Sequence, residues 1–228
     1  LAEKEKAVDA YKRLIEKHAQ SPLRREALYA LGVAYEDLKR YPEAEATYDR
    51  FLKDYANDDL AAEVRLRRGE AILQRGEVAA AEKVFAELAA IPGFASADYA
   101  VLRQAYCAAK QEQYDEAGKL YARIPNEFPR STHVAEASLS AGRCFYRAQQ
   151  YDAAVPWLER VVEISGSEAP EAAHWLCRIY LNQKAGARAV ELVERVLPKA
   201  GESPYQVQLS LDQADALYSL SEWRADSV

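Results

Sequence analysis

The chain has 228 residues, half of them apolar and 29% charged, the balance of a well-buried globular protein rather than a disordered one. Its formal net charge of -6 argues against a general nucleic-acid coat, which needs a basic surface. No run of about 18 apolar residues is present to span a bilayer.

Residues 3–19 read as one amphipathic helix, with Ala7, Tyr11, Leu14 and Ile15 on one face and Ser21-Pro22 ending it. The stretch 27–55 reads as a helix pair. Its first helix is small and apolar, with Leu31, Gly32 and Tyr35, a break follows at Arg40-Tyr41-Pro42, and the second helix carries Ala44, Tyr48 and Leu52. Asn57-Asp58-Asp59 supplies the turn out of the pair. The rest of the chain repeats this unit, giving expected repeats at 25–61, 62–97, 98–134, 135–169 and 170–206, with half repeats at 1–24 and 207–228. The second closes at Ile91-Pro92-Gly93 and the third at Pro125 to Pro129. Pro156 is placed near the start of its helix, where first-turn amides have no intrahelical partner. In the fifth repeat Ala185-Gly186-Ala187 replaces the aromatic turn.

One position makes the repeat explicit. The alanine that opens each second helix recurs at Ala7, Ala44, Ala81, Ala117, Ala154 and Ala189, with successive spacings of 37, 37, 36, 37 and 35 by subtraction. Four residues beyond it stands a large side chain: Tyr11, Tyr48, Phe85, Tyr121, Leu158 and Val193. The facing site in the first helix reads Gly32, Gly69, Ala105, Gly142, Cys177 and Ala214. Self-similarity at a fixed period marks a stacked array, so the expected fold is all-α, with about twelve helices in one array over 1–228. A lone helix at each end, with no Met and Leu1 first, leads to the expectation of a longer parent chain. No signal peptide is visible, which is uninformative about compartment. Leu209, Leu211, Leu217 and Leu220 on the last helix raise self-association through an unpaired end.

A small residue followed three positions on by a large one (Gly32 with Tyr35, Gly142 with Phe145), an aromatic at the turn (Tyr41, Tyr114, Tyr151), then Ala and a large residue: this pattern resembles the tetratricopeptide repeat (TPR) across essentially the whole chain. The period exceeds the usual 34, and Leu28 stands where the family often has tryptophan. The resemblance implies a right-handed α-solenoid whose first helices line a concave groove. Turns such as Asn126-Glu127-Phe128-Pro129-Arg130-Ser131 are similar in style to those of bacterial envelope TPR proteins, of the barrel-assembly lipoprotein and Tol–Pal coordinator kinds. That implies a periplasmic or envelope location, with the cytoplasm as the alternative. The family's Lys/Asn/Arg carboxylate clamp is not matched, because Leu66 and Glu70 stand where lysine and asparagine are wanted.

Catalysis finds little footing. His18, His133 and His174 lack the spacing of a zinc-hydrolase helix, and the nine glycines form no phosphate loop. Cys107, Cys144 and Cys177 make neither a disulfide framework nor a CxxC metal pattern, and they read as small buried hydrophobes. Acidic pairs such as Glu43 with Glu45 and Asp115 with Glu116 read as helix-start charges that complement the dipole and cap free amides. No catalytic residue, metal site or cofactor is expected.

The implied groove positions bring together Arg67, Tyr99, Arg103, Tyr106, Lys110, Arg143, Tyr146, Arg147, Trp175 and Arg178, while those of the first full repeat (Glu26, Glu36, Asp37) and of the last half repeat (Asp212, Asp215) are acidic. Arginine beside Tyr and Trp is the composition of binding hot spots, which points to a peptide ligand with acidic residues. The competing structural account is a solvated face with salt bridges along one helix, such as Arg67 with Glu63 or Glu70. Three functions follow: a peptide-binding adaptor, the preferred one; a structural spacer in an envelope assembly; and the regulatory arm of an enzyme whose catalytic domain lies elsewhere.

Overall fold

The structure, a computed structural model, describes residues 2–164 and 166–225, so the outermost limits expected for the array, 1 and 228, lie outside the described residues. Twelve α-helices are described: α1 (Ala2–Lys17), α2 (Arg24–Asp37), α3 (Tyr41–Asp54), α4 (Ala61–Gln74), α5 (Val78–Ala89), α6 (Ala97–Lys110), α7 (Tyr114–Glu127), α8 (Val134–Arg147), α9 (Tyr151–Ile164), α10 (Ala169–Asn182), α11 (Gly186–Val196) and α12 (Gln206–Ala225). No strand occurs among the described residues. They fall into two compact units, Leu1–Gln111 and Glu112–Val228. The first holds α1 to α6 and the second α7 to α12, so the helices of the expected repeat 98–134 belong to different units.

Each pair turns in the same way. Lys39, Gly76, Glu112, Gln149 and Lys184 take positive φ, between 57° and 84°. The left-handed residue reverses the chain so that a later amide reaches back over the helix end: Arg40 to the Tyr35 carbonyl at 2.8 Å, Gln150 to Phe145 at 2.9 Å, Ala185 to Tyr180 at 2.7 Å. The break is therefore Leu38–Arg40, two residues earlier than expected, and Tyr41 and Pro42 already lie in α3. Proline is tolerated there because a first-turn amide has no helical acceptor. Entry into the next helix is set by a side-chain oxygen two residues upstream of the amide it accepts from. Ser21 takes Leu23, Asp58 takes Leu60, Ser131 takes His133 and Ser203 takes Tyr205, at 2.9 to 3.2 Å.

Both interior prolines depart from expectation. Pro125 does not close its repeat; it is buried inside α7, which continues until the Phe128 amide bonds the Ile124 carbonyl at 2.8 Å. One hydrogen bond, to the Tyr121 carbonyl, is forfeited, and the ring joins the core. Pro156 is the sixth residue of α9, past the first turn, so it leaves the Asp152 carbonyl without its helical donor.

The core follows the expected stripes. Ala44, Ala81, Ala117, Ala154 and Ala189 are fully buried, as are Tyr48, Phe85, Leu158 and Val193. The tiny partners are required by contact. A methyl on Gly32 would land in the Tyr48 ring, one on Gly69 would sit 2.9 Å from Phe85 Cε1, and one on Gly142 2.5 Å from Leu158 Cγ. Each large side chain thus presses on the glycine of its own pair. The last helix breaks the register: Ala214 is exposed, and Leu209, Asp212 and Ala216 face inward instead. The cause is that α12 packs on both α10 and α11 and is anchored through Asp212.

The acidic helix-start residues also differ from expectation. No side-chain capping bond is made at the helix starts before α3 and α7. The acids bind side chains instead: Glu5 takes Arg40, Glu45 takes Arg75, Glu82 takes Gln111, Asp115 takes Gln150 and Asp152 takes Gln183. This is a rung-by-rung tie between consecutive repeats within each unit.

Candidate functional site

In the first unit the first helices of successive pairs, α2, α4 and α6, carry the expected residues on one connected surface. Arg67 donates from Nε to the Tyr29 hydroxyl at 2.9 Å and from Nη1 to Glu36 Oε2 at 3.0 Å, with Glu63 Oε1 3.2 Å from its Nε. Arg103 grips Glu70 with a fork, Nε to Oε1 at 2.6 Å and Nη2 to Oε2 at 2.8 Å. The Tyr99 hydroxyl adds a third bond to Glu70 Oε1 at 3.1 Å. The Arg103 guanidinium also stands 4.9 Å from the Tyr106 ring centroid, and Lys110 Nζ 5.4 Å from it. Paired and half-buried, Arg103 through its fork and Arg67 through single bonds to Tyr29 and Glu36, both arginines tie one repeat to the next. Beneath them the buried Glu36 carboxyl and Tyr48 hydroxyl face each other, and burial, the largest cause for each, pushes both groups above their usual pKa.

In the second unit the corresponding surface runs over α8, α10 and α12 and is built differently. Rings dominate: Tyr151 and Tyr146 lie 5.4 Å apart, Tyr146 and Trp175 5.0 Å, Trp175 and His174 5.1 Å, and His174 and Tyr205 5.7 Å. The His174 end is pinned by its Nδ1, 2.7 Å from Oδ2 of the buried Asp212. The arginines at the margin are more open. Arg143 is 40% exposed and its Nη1 meets Glu171 Oε1 at 3.2 Å. Arg178 is 47% exposed and 3.6 Å from Asp215, and Arg147 is exposed, donating to the Tyr114 hydroxyl at 3.3 Å and lying over its ring.

The ten expected residues thus form two surfaces, Arg67, Tyr99, Arg103, Tyr106 and Lys110 in one unit and Arg143, Tyr146, Arg147, Trp175 and Arg178 in the other. Sequence reasoning paired Arg67 along its own helix and missed Glu36; it offered Glu70 to Arg67, whereas Glu70 belongs to Arg103. Opposite charges 31 to 33 residues apart on the same helix face were the available signal. Tyr205 was also missed, because it lies in a loop rather than on a helix. Among the described residues, no group of three or more His, Cys, Asp or Glu side chains is placed to hold a metal ion, and no helix is long and apolar enough to cross a membrane.

Protein-family models described as tetratricopeptide repeat match residues 2–59 and 99–131. A model described as anaphase-promoting complex, cyclosome, subunit 3, matches 147–224. No curated protein sequence matches the chain. Among solved structures, the chain resembles YrrB, described as a TPR protein with an unusual peptide-binding site, at 16% identity and a TM-score of 0.63, over 94% of this chain and 99% of that one. A tetratricopeptide repeat protein from Parabacteroides merdae ATCC 43184 aligns at 16% identity and a TM-score of 0.62, over 96% and 87%. BtubC (BKLC) from P. vanneervenii aligns at 16% and 0.63, over 85% and 87%. At such identity these structures speak for the fold, which is the all-α TPR solenoid, generally a non-catalytic scaffold for protein and peptide partners. Helix pairs, their period and the family matches together make this chain a tetratricopeptide repeat protein.

Proposed function

We propose that the chain is an adaptor that takes an acidic peptide segment, and that the second unit supplies the binding surface. The observation that carries this reading is the contrast in how the arginines are held. Arg103 is enclosed by Glu70 and two tyrosines, whereas Arg143 and Arg178 lie open on the helices that carry Tyr146 and Trp175, and Arg147 is exposed over the Tyr114 ring. Open guanidinium groups next to a rigid aromatic platform offer an acidic segment both forked bonds and apolar contact at small entropic cost. Fluorescence anisotropy with fluorescein-labelled hexaglutamate, and hexaglutamine as control, tests it. The parent is expected to bind the acidic probe and to lose it on the double substitution Arg143→Glu with Arg147→Glu, helicity being checked by circular dichroism. Undiminished binding by the folded variant sinks the reading.

A second reading, self-association, is favoured by one observation. Val207 and Leu211 on α12 are 75% and 59% exposed, and four residues apart they share one face of the helix. A constant monomeric mass in sedimentation across a dilution series would remove it.

A further inference from the structure

One carboxylate in the second unit is placed where a ligand's would be expected. Glu171, in the first turn of α10, is only 19% exposed at its side chain. Two donors from the aromatic surface converge on its Oε1: Arg143 Nη1 at 3.2 Å and Trp175 Nε1 at 3.3 Å. The Tyr205 phenol also hydrogen-bonds this carboxylate, and it is pushed up by burial first and by the Glu171 charge second. Neither donor contact is short. The guanidinium is not forked, and Arg143 remains far more open than Arg103. Glu70 in the first unit takes a fork from Arg103 and a bond from Tyr99, which is the geometry of a permanent tie. Glu171 has the geometry of an exchangeable one. Its counterpart one repeat earlier, Glu136, is exposed, with His133 Nδ1 3.5 Å from its carboxylate.

We propose that Glu171 is a resident competitor: its carboxylate occupies the Arg143–Trp175 donor pair, and an acidic peptide binds by displacing it. The inference rests on the proposed acidic-peptide function and adds to it the residue that sets the threshold for entry. A weakly acidic or neutral segment then gains nothing over the resident group. Several carboxylates presented together shift the exchange by local concentration.

The test is an anisotropy titration of fluorescein-labelled hexaglutamate against the parent, Glu171→Gln and Glu136→Gln. Glutamine keeps the shape and removes the competing charge. Glu171→Gln is expected to tighten hexaglutamate binding by about threefold or more, the scale of a partly exposed ion pair, without tightening hexaglutamine. Glu136→Gln makes the same change in net charge and is expected to leave binding unchanged. Equal tightening by both variants reduces the effect to net charge and overturns the proposal. Unchanged or weaker binding by folded Glu171→Gln, while the parent still depends on Arg143 and Arg147, overturns the competitor and leaves the acidic-peptide reading standing. Binding by none of the three overturns both. Should Glu171→Gln not fold, the parent decides. The indole N–H resonance of Trp175, assigned through Trp175→Phe, must move as hexaglutamate saturates the protein, and a fixed resonance at saturation refutes displacement.

Discussion

The two units solve the same packing problem and use their arginines differently. In both, a glycine on the first helix receives a large side chain from the second: Gly32 with Tyr48 in one, Gly142 with Leu158 in the other. On the outer face of the first helices they part. Arg67 and Arg103 meet carboxylates on the preceding first helix at 2.6 to 3.0 Å, whereas Arg143 and Arg178 meet carboxylates on the following first helix at 3.2 and 3.6 Å and stay open. The difference teaches that an arginine on the first helix of such a pair acquires its role from what the neighbouring repeat offers it. Where the neighbour presents a carboxylate within fork geometry, the arginine becomes part of the scaffold. Where it presents a tryptophan and a single oxygen, it stays available.

The largest effect should fall on what the units share. Gly32→Ala drives a methyl into the fully buried Tyr48 ring and is expected to cost about 2 kcal/mol, because a buried ring cannot turn aside. Gly142→Ala meets a Leu158 isopropyl group that can rotate, and should cost about 1 kcal/mol; urea midpoints at constant slope measure both. Next comes the feature that separates them. Arg103→Met strands the half-buried Glu70 and should cost about 1–2 kcal/mol, while Arg143→Met should stay within about 0.5 kcal/mol. The reverse order would break the comparison. Smaller still, Lys39→Gly and Gln149→Gly should each gain about 0.5 kcal/mol, since both positions are left-handed and glycine adopts that conformation without a Cβ clash.

The last test is pH. Burial raises Glu36 above the ordinary carboxylate value, so the folded state holds that proton more tightly than the unfolded chain. Its contribution therefore improves as pH falls through the raised pKa and is absent above it. In the second unit Asp115 and Glu127 are lowered by Lys119 and Arg123; their contribution is present above the ordinary carboxylate value and is lost as pH falls through the lowered one. Stability measured against pH for the parent and Glu36→Gln should differ in slope only in the mildly acidic range. Parallel curves would show that Glu36 does not titrate differently on folding.

The sequence by itself determined the helix pairs, their period and their core. A glycine or alanine facing a large side chain is a local steric requirement that must be rewritten in every repeat, so it survives as a visible pattern. The candidate surface was legible only as a list of positions. The left-handed turn residues were hidden, because Lys39, Glu112, Gln149 and Lys184 carry no glycine to mark them. The true register of α12 was hidden too, since it follows from contacts with α10 and α11 and from the His174–Asp212 bond. Which arginine is spent on a tie and which is left open was decided only by tertiary structure. An ion pair between residues some thirty positions apart depends on the stagger of neighbouring helices, and no local pattern encodes that distance.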